Sequence, residues 1–395
     1  MEVKTGYKQT EVGVIPDDWV VSLLTEIIWF QEGPGLRKWQ FQNKGLKIIN
    51  ITNLQENGVL DLDKTERYIS WVETDKMYRH FLINENDVVM ASSGNSYCKT
   101  SVVRKIDLPL LMNTSVIRFK PLQGITYQLM LVYLRSKYFK GQVDLLITGG
   151  AQPNFGPEHL KKIRIPLPPT LAEQTAIATA LSDAGSLIQS LERLIAKKRA
   201  IKQGAMQELL KPKEGWVVKT LGELAEIKMG QSPSSLNYNK SGIGLPLVQG
   251  NADIADRKTI IRNYTSQITK RCNAGDIIMS VRAPVGEIAI AEFEACIGRG
   301  VCAISYPNAF LYFYLIFIEL LWAKYSTGTT FDSINSNTIN DLQINTPPHE
   351  EQLRIAAILS EMDAEIAALE TKLTKYKQIK QGMMQNLLTG RIRLI

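Results

Sequence analysis

The sequence predicts an α+β protein with two globular parts, each followed by a long helix, and three observations carry this prediction. Residues 173–210 and 351–388 align without a gap, and about half of the aligned positions are identical. Both copies show helical periodicity, while the sequence between them consists of short β-rich runs bounded by Gly, Asn and Pro. The duplication therefore defines the order of the chain as domain, helix, domain, helix.

The repeated segments are predicted to be long helices that pair with each other. Apolar residues recur at steps of four and three, which places them on one helix face as in a coiled coil. They are Ile177, Leu181, Ala184, Ile188, Leu191 and Ile195 in the first copy, and Ile355, Leu359, Met362, Ile366, Leu369 and Leu373 in the second. At 1.5 Å per residue each helix would be roughly 60 Å long. The alternative is two amphipathic helices, each packed on its own domain.

Length and composition restrict the possible functions only loosely. The 395 residues suffice for two or three domains. A formal charge of +7 suggests a polyanionic partner without establishing one. The apolar run at 310–322 contains Glu319 and is shorter than the ~20 residues that a membrane span needs.

Cysteine and histidine usage argues against a zinc site or a disulfide framework. The residues concerned are Cys98, Cys272, Cys296, Cys302, His80, His159 and His349. No two cysteines form a CxxC pair, and the N-terminal segment lacks the apolar core of a signal peptide. We therefore expect reduced thiols and a cytoplasmic location.

The first globular part is predicted to contain short strands, polar loops and one terminal helix. In chain order its features are a polar segment ending at Trp19, an apolar stretch through Leu24 and Ile27, a Gly33-Pro34-Gly35 loop, a strand at 46–51, a turn at Asn57-Gly58, a strand at 88–90 that ends in the loop 92–97, a helix at 127–139, and the pair Pro168-Pro169.

The second part repeats this order with a different sequence. Trp216 opens the second part as Trp19 opens the first. A strand at 277–279 ends in the loop 280–284, and a helix covers 310–322. The pair Pro347-Pro348 leads into the second long helix, because proline cannot continue a strand or sit inside a helix. The resulting domains are 1–169, 170–212, 213–348, 349–390 and a tail at 391–395. Since the globular parts differ more than the helices, we expect them to do the same job on different targets.

These segments together resemble a known family. The repeated ending IKQG-x-M-Q-x-LL, the opening YKQTEVGVIPDDW and the segment GDIIMSVRAPVG at 275–286 are similar to the specificity subunit of type I restriction-modification systems. The resemblance implies two target recognition domains, each reading one half of a split DNA site, and two antiparallel spacer helices. It also implies two methylation subunits and restriction subunits as partners, with double-stranded DNA as the target. No small-molecule substrate and no membrane partner are implied.

The repeat makes this arrangement physically reasonable. A chain folded back on an internal repeat acquires a pseudo-twofold axis, and the two long helices are then expected to run antiparallel. Successive DNA turns are about 34–36 Å apart. Helices of the predicted length could therefore set the distance between two half-sites separated by unread base pairs.

No catalytic motif is evident, so we predict a non-catalytic chain without a cofactor. The sequence has no GxxxxGK[ST] phosphate loop, no NPPY or NPPF motif and no glycine-rich cofactor loop. Asn345-Thr346-Pro347-Pro348 has a threonine inserted, and its prolines are explained as a domain exit. Glu226-Ile227-Lys228 lacks the Pro-Asp of a nuclease motif and is interpreted as a solvated charge pair.

DNA contacts are expected from polar loop residues that can bind phosphates or base edges. The alternative for each residue is a role in forming a turn or capping a helix. The candidates are Arg37, Lys38, Ser93, Asn95, Tyr97, Gln152 and Asn154 in the first part, and Gln231, Ser234, Gln249, Asn251, Arg282, Thr329 and Thr330 in the second.

Two features of the helices allow more than one interpretation. The basic cluster around Lys198, Arg199 and Lys202 is either a solvated face or a contact to phosphate or a methylation subunit. Gly204 and Gly382 lie inside helical sequence at a cost of up to ~1 kcal/mol each relative to Ala. A close helix crossing, a docked partner or a kink would account for them.

Two rival functions stay open at this level. One is a specificity subunit that serves a fused methylase-nuclease of the type IIB kind. The other is a coiled-coil interaction scaffold without DNA specificity, whose globular parts bind proteins.

Overall fold

The computed structural model describes residues 5–147, 153–326 and 334–394. The chain forms two compact units: unit 1 comprises Met1–Ser190 and Leu373–Ile395, and unit 2 comprises Leu191–Lys372. The two long helices each contribute residues to both units. Three predicted contact residues, Gln152, Thr329 and Thr330, lie outside the described residues.

Unit 1 combines short strands with small helices and the first part of a long helix. Its strands are β1 (Tyr7–Thr10), β2 (Gly13–Pro16), β3 (Val20–Leu23), β4 (Ile28–Glu32), β5 (Leu46–Ile49), β6 (Tyr68–Ile69), β7 (Val88–Ala91), β8 (Thr100–Val102), β9 (Leu110–Met112), β10 (Val116–Pro121) and β11 (Arg164–Leu167). Its helices are α1 (Leu24–Ile27), α2 (Trp71–Glu73), α3 (Tyr127–Leu134), α4 (Lys137–Leu146), α5 (Pro157–Leu160) and the start of α6 (Leu171–Leu209).

Two sheets form the centre of unit 1. One has the strand order β4-β10-β7-β8 and is antiparallel throughout, and the other has the order β6-β5-β9 with β5 and β9 parallel. All four residues of β7 are buried, which explains why this strand is continuously apolar rather than alternating. The main core packs Trp19, Phe119 and Tyr133 together with the ends of both long helices.

The single helix predicted at 127–139 is in fact two helices. α3 ends at Leu134, and Ser136 adopts an extended conformation in which its hydroxyl accepts a 3.0 Å hydrogen bond from the Phe139 amide. This serine is the N-cap of α4, a role in which it satisfies an amide that the helix leaves unpaired. The prediction was wrong because apolar periodicity continues across the cap.

Unit 2 repeats most of the paired strands of unit 1 in the same order and has additional short strands. Its strands are β12 (Val217–Thr220), β13 (Glu226–Met229), β14 (Tyr238–Asn239), β15 (Leu245–Val248), β16 (Ile254–Ala255), β17 (Lys258–Thr259), β18 (Tyr264–Thr265), β19 (Arg271–Cys272), β20 (Ile277–Ser280), β21 (Ile288–Ile290), β22 (Ala295–Ile297), β23 (Val301–Ser305) and β24 (Gln343–Thr346). Its helices are α7 (Leu221–Leu224), α8 (Phe310–Ser326), α9 (Ser336–Asn340) and the start of α10 (His349–Leu387).

The sheets of unit 2 correspond to those of unit 1. The order β13-β23-β20-β21 matches β4-β10-β7-β8 in its antiparallel pairing, and β15 runs parallel to β22 as β5 does to β9. The pairing of β12 with β24 likewise repeats that of β3 with β11. The strand pairing thus shows that the duplication extends to the globular parts, although their sequences differ.

In unit 1 the long helices run antiparallel. Leu181 of α6 shares a core with Leu387 near the end of α10. Four residues after Leu181, a Cβ built on Gly185 would lie 2.8 Å from the Lys380 Nζ. As the numbers rise along α6 they fall along α10, which defines the direction.

Unit 2 shows the same antiparallel packing independently. Lys198 pairs with Glu365 at 2.7 Å, Lys202 pairs with Asp363, and Leu210 shares a core with Leu359. The predicted fold class, with α+β parts, an internal repeat and antiparallel long helices, is confirmed.

The basic cluster of α6 belongs to this helix pairing. Besides the two lysine pairs, Arg199 pairs with Glu370. These side chains are therefore neither a simple solvated face nor an unpaired phosphate site. Gly204 and Gly382 have no heavy atom within 4 Å of a built Cβ, leaving out their own helix's backbone and chain neighbours, which excludes a close crossing within the described chain. In that same part of the chain, no helix has both the length and the apolar character needed to cross a membrane.

A buried glutamine fixes the start of each long helix. The Gln174 amide donates to the carbonyl oxygen of Pro168 at 3.1 Å, and the Gln352 amide donates to that of Pro347 at 3.0 Å. The first proline of each double-proline pair is thus tied to the helix that it introduces. A proline carbonyl can accept such a bond although its nitrogen has no hydrogen to donate.

Candidate nucleic-acid interface

Loops gather at one edge of the main sheet in unit 1. Because β10 is antiparallel to both β4 and β7, the ends of β4 and β7 meet the start of β10. The loop after β7 also meets the segment before α5: Ser93 and Asn154 form a β-bridge, and the Gly94 amide donates to the Pro153 carbonyl at 3.0 Å. Residues far apart in sequence therefore form a single loop surface.

The structure brings together some of the predicted contact residues of unit 1 and separates others. Ser93, Asn95 and Asn154 lie on the loop surface, and Asn95 and Asn154 are exposed. Arg37 and Lys38 are also exposed, but they lie at the 3₁₀ turn Lys38–Gln40, and no hydrogen bond among the described residues joins them to the Ser93 loop.

Tyr97 has a defined structural role. Its hydroxyl donates to Asp144 Oδ1 at 2.6 Å, and the Lys140 ammonium lies 4.0 Å from the centre of its ring. These bonds attach the loop to α4. Tyr97 therefore positions neighbouring side chains and has little freedom to reach a base itself.

Unit 2 forms a cleft at the equivalent sheet edge. The cleft has a volume of about 480 Å³, and its lining includes Tyr238, Gln249, Arg282 and Arg299. The Gln249 side chain donates to the Tyr238 hydroxyl at 2.6 Å, while its backbone amide donates to Asp253 at 2.7 Å. One wall of the cleft is thus held rigidly.

The other predicted residues of unit 2 surround this cleft or lie apart from it. Gln231 and Ser234 are exposed on either side of two lining residues, and the Ser234 amide donates to Gln267 Oε1 at 2.8 Å. Asn251 instead donates to Glu287 in a separate cleft of about 530 Å³. Because Glu319 also lines this second cleft, the cleft is less suited to binding a negatively charged phosphate than the first one.

Backbone hydrogen bonds establish which loop positions correspond in the two units. The Asn113 amide donates to Ile49 as that of Gly298 does to Val248, and the Ser92 amide donates to Ser115 as that of Val281 does to Gly300. The residues that follow Ile49, Ser92 and Asn113 therefore correspond to those that follow Val248, Val281 and Gly298. The corresponding pairs are Asn50 and Gln249, Ser93 and Arg282, and Thr114 and Arg299.

Sequence reasoning missed Arg299 and Thr114. A signal for Arg299 was present, since the residue lies between Gly298 and Gly300. A Cβ at Gly300 would be 2.0 Å from the Gln249 carbonyl oxygen, so the backbone must come close there. Thr114 has no comparable local signal and is identified only through the correspondence with Arg299.

The cleft of unit 2 is electrostatically suited to a polyanion. Arg282 and Arg299 are both exposed, and neither guanidinium pairs with a carboxylate among the described residues. An arginine without an internal partner presents a planar set of five donors to phosphate oxygens or to the O6 and N7 atoms of guanine. In unit 1 the loop surface is flanked by Glu32, whose pKa is raised by burial.

Cysteine thiols in both units have raised pKa values. Burial raises the pKa of the Cys98 and Cys302 thiols to about 12, so neither is a thiolate nucleophile at neutral pH. No group of three or more His, Cys, Asp or Glu side chains that could hold a metal ion occurs in residues 5–147, 153–326 and 334–394.

Comparison with known proteins identifies the family. The profile of the type I restriction modification DNA specificity domain matches residues 16–199 and again residues 213–381. A protein of Methanocaldococcus jannaschii named as the specificity subunit of the type I restriction enzyme MjaX is 30% identical over 98% of this chain and 97% of its own length.

Solved structures agree with this assignment. The HsdS subunit from Thermoanaerobacter tengcongensis is 25% identical with a TM-score of 0.50, covering 96% of this chain and 98% of that one. A chain from a structure of the type I R-M system has a TM-score of 0.64 at 24% identity, covering 96% and 99%, and shows the shared fold. With both halves matched by the same family profile and a relative aligned along nearly its whole length, the chain belongs to the type I restriction-modification DNA specificity family.

Proposed function

We propose that this chain reads a bipartite, asymmetric DNA site as the specificity subunit of a type I restriction-modification complex. One observation carries the proposal: the two units place equivalent loops at equivalent sheet edges but equip them with different side chains. Equivalent geometry with different donors and acceptors is what two readers of two different half-sites require.

The side chains at the three corresponding positions differ in what they can recognise. Unit 2 presents Arg282 and Arg299, which can bind guanine edges bidentately, beside Gln249, whose side chain already donates to the Tyr238 hydroxyl. Unit 1 presents Asn50, Ser93 and Thr114 at these positions, with Asn154 beside Ser93, and these side chains are short and uncharged. We therefore infer that the half-site read by unit 2 contains guanine, and that unit 1 reads its half-site through amide and hydroxyl groups.

The remaining predicted residues are assigned supporting roles. Asn95, Gln231 and Ser234 are exposed and suited to phosphates at the margins of the two surfaces, and Arg37 and Lys38 are exposed and suited to phosphates at the separate turn Lys38–Gln40. Gln152, Thr329 and Thr330 stay proposed contacts on the basis of sequence. Asn251 and Tyr97 are proposed to act by positioning their loops, because their side chains are already engaged.

The organisation of the chain follows from this division of labour. Residues 1–169 and 213–348 are proposed as the recognition domains, 170–212 and 349–390 as the spacer helices, and 391–395 as a tail. Two methylation subunits and the restriction subunits are the proposed protein partners. The chain itself is proposed to be non-catalytic and to work in the cytoplasm, where its DNA target lies.

A domain exchange tests the bipartite reading. Replacing residues 217–346 by the corresponding segment of a relative with another specificity should change one half-site and leave the other unchanged. The assay is methylation profiling of DNA from cells that carry the exchanged chain with its methylation subunits. An exchange that altered both half-sites equally would rule out the proposal.

Single substitutions test the guanine assignment. Arg299→Ala and Arg282→Ala should each weaken binding of the cognate site by the worth of a bidentate contact, roughly 1–3 kcal/mol. Arg299→Lys keeps the charge but loses the bidentate geometry, so it should relax base preference while retaining most non-specific affinity. Arg271→Ala is the matched control, because Arg271 is exposed but already pairs with Glu294 at 3.0 Å.

Salt dependence separates DNA reading from a protein-interaction scaffold. Binding that neutralises DNA phosphates gives a slope of log K against log salt of about −0.9 for each phosphate contacted. The methylation complex should show a steep slope that Lys38→Ala reduces by about one phosphate contact, whereas Arg299→Ala, at a residue proposed to read a base, should leave the slope nearly unchanged. A flat response would favour the scaffold.

A further inference from the structure

Among the described residues that line a cavity in unit 1, every charged side chain is cationic. The volume of this cavity is about 620 Å³, within the range of small-molecule sites. The described residues that line it include no carboxylate, and its cationic side chains are Arg135, Lys137, Lys377, Lys380 and Arg391. Ile188, Met384 and Leu388 contribute an apolar wall.

The internal repeat shows why the charge of Lys380 is not neutralised. The repeat equivalent of Lys380 is Lys202, which forms an ion pair with Asp363 in unit 2. The repeat equivalent of Asp363 is Gly185. A Cβ built on Gly185 would be 2.8 Å from Lys380 Nζ. Lys380 therefore lies beside a glycine at the position where its repeat equivalent meets an aspartate.

Neighbouring groups do not supply the missing negative charge. Neither Arg135, Lys137, Lys380 nor Arg391 forms an ion pair with any carboxylate that the structure describes. Burial, and secondarily the Arg135 guanidinium, lower the pKa of Lys380. Several cations held together without a counter-charge are unfavourable, and a bound anion would relieve this.

We propose that this cavity binds a phosphate-bearing ligand of nucleotide size. A phosphate group brings close to two negative charges and three acceptor oxygens, so it can neutralise the four unpaired cations better than one carboxylate could. Arginine and lysine are the residues that recognise phosphate. The apolar wall at Ile188 and Met384 offers a surface for the sugar or base. The phosphate could belong to a free nucleotide or to the DNA backbone.

The test is calorimetric titration of the full chain with pyrophosphate and with ATP, each at constant ionic strength. The wild-type chain should bind both. Gly185→Asp supplies to Lys380 the carboxylate that Lys202 already has, so affinity should fall about ten-fold or more, as expected when a charged hydrogen bond is lost. Gly204→Asp is the matched control, since it adds the same charge to the same helix in open space, and its affinity should stay within about two-fold of wild type.

Lys380→Met provides a second variant that adds no charge, and circular dichroism establishes that each variant is folded. Lys380→Met should weaken the binding of pyrophosphate and ATP as Gly185→Asp does. Absence of pyrophosphate and ATP binding in the wild-type chain would overturn the proposal. Unchanged affinity in both folded variants would overturn it equally.

A third titration identifies the source of the phosphate. If duplex DNA displaces pyrophosphate and binds less tightly to Gly185→Asp, the ligand is the DNA backbone. If duplex binding is unaffected while ATP binding falls, the ligand is a free nucleotide. Both outcomes support the cavity as a phosphate site. The result is also independent of base reading, which Arg299→Ala tests at a different surface.

Discussion

The C-terminal tail is held in unit 1 by an ion pair whose removal should be costly. Arg393 donates to both oxygens of Glu173, Nε to Oε1 at 2.8 Å and a terminal nitrogen to Oε2 at 2.7 Å. It also donates to Asp18 at 2.8 Å. Glu173 is 1% exposed, so Arg393→Ala leaves a buried carboxylate without its counter-ion.

The expected loss follows from burial. Removing one partner of a fully buried pair costs about 3–5 kcal/mol. The Arg393 side chain is 33% exposed, and water entering the space it leaves will recover part of the loss. We therefore expect Arg393→Ala to lower the free energy of unfolding by about 2–3 kcal/mol.

The assay is denaturant unfolding of the full chain, with Arg164→Ala as the control. Arg164 pairs with Glu11 at 3.1 Å in the same unit, but both side chains are exposed, so its removal should cost at most about 1 kcal/mol. Adding Glu173→Gln to Arg393→Ala should restore part of the stability, because a neutral amide is less costly to bury than a charge. The reasoning fails if Arg393→Ala and Arg164→Ala lower the free energy of unfolding by the same small amount, or if the double variant is less stable than Arg393→Ala.

Two further predictions concern the long helices. Gly204→Ala should raise the free energy of unfolding of the isolated chain by up to ~1 kcal/mol, since alanine favours helix and the built Cβ meets nothing within 4 Å; a lower thermal midpoint would contradict this. Lys202→Glu should destabilise unit 2 by roughly 1–2 kcal/mol, because it places a glutamate against Asp363. The double variant Lys202→Glu with Asp363→Lys should recover most of the lost stability in the same melting experiment. If the two substitutions instead destabilise additively, the ion pair of Lys202 with Asp363 does not contribute to stability.

The sequence determined the features that depend on local periodicity and on the repeat. The apolar residues on one face of each long helix, such as Ile177, Leu181, Ile355 and Leu359, recur at helical spacing, and they are buried where the helices pack. The antiparallel direction could also be predicted, because a chain folded back on a duplicated segment pairs the two copies head to tail. Family membership followed from the same repeat, because its residues are specific enough to identify without coordinates.

Only the tertiary structure decided how the loops combine. Ser93 and Asn154 are far apart in the chain and become neighbours through a β-bridge, and Arg299 joins Arg282 only because β20 and β23 are paired. The sequence predicts a DNA contact from Tyr97 as a polar loop residue, but its hydroxyl is bound to Asp144 on another element. Long-range pairing of this kind leaves no periodic trace in the sequence, since register and strand order are set by the packing of the whole sheet.

The charged cavity illustrates the same distinction. The alignment of the two helical copies already shows that Gly185 corresponds to Asp363. The neighbouring sequence does not indicate that this difference affects a charged site. Its meaning appears once the helices pack antiparallel and Gly185 lies against Lys380. Charge neutralisation depends on distances of a few ångströms in space, and those distances are a property of the fold.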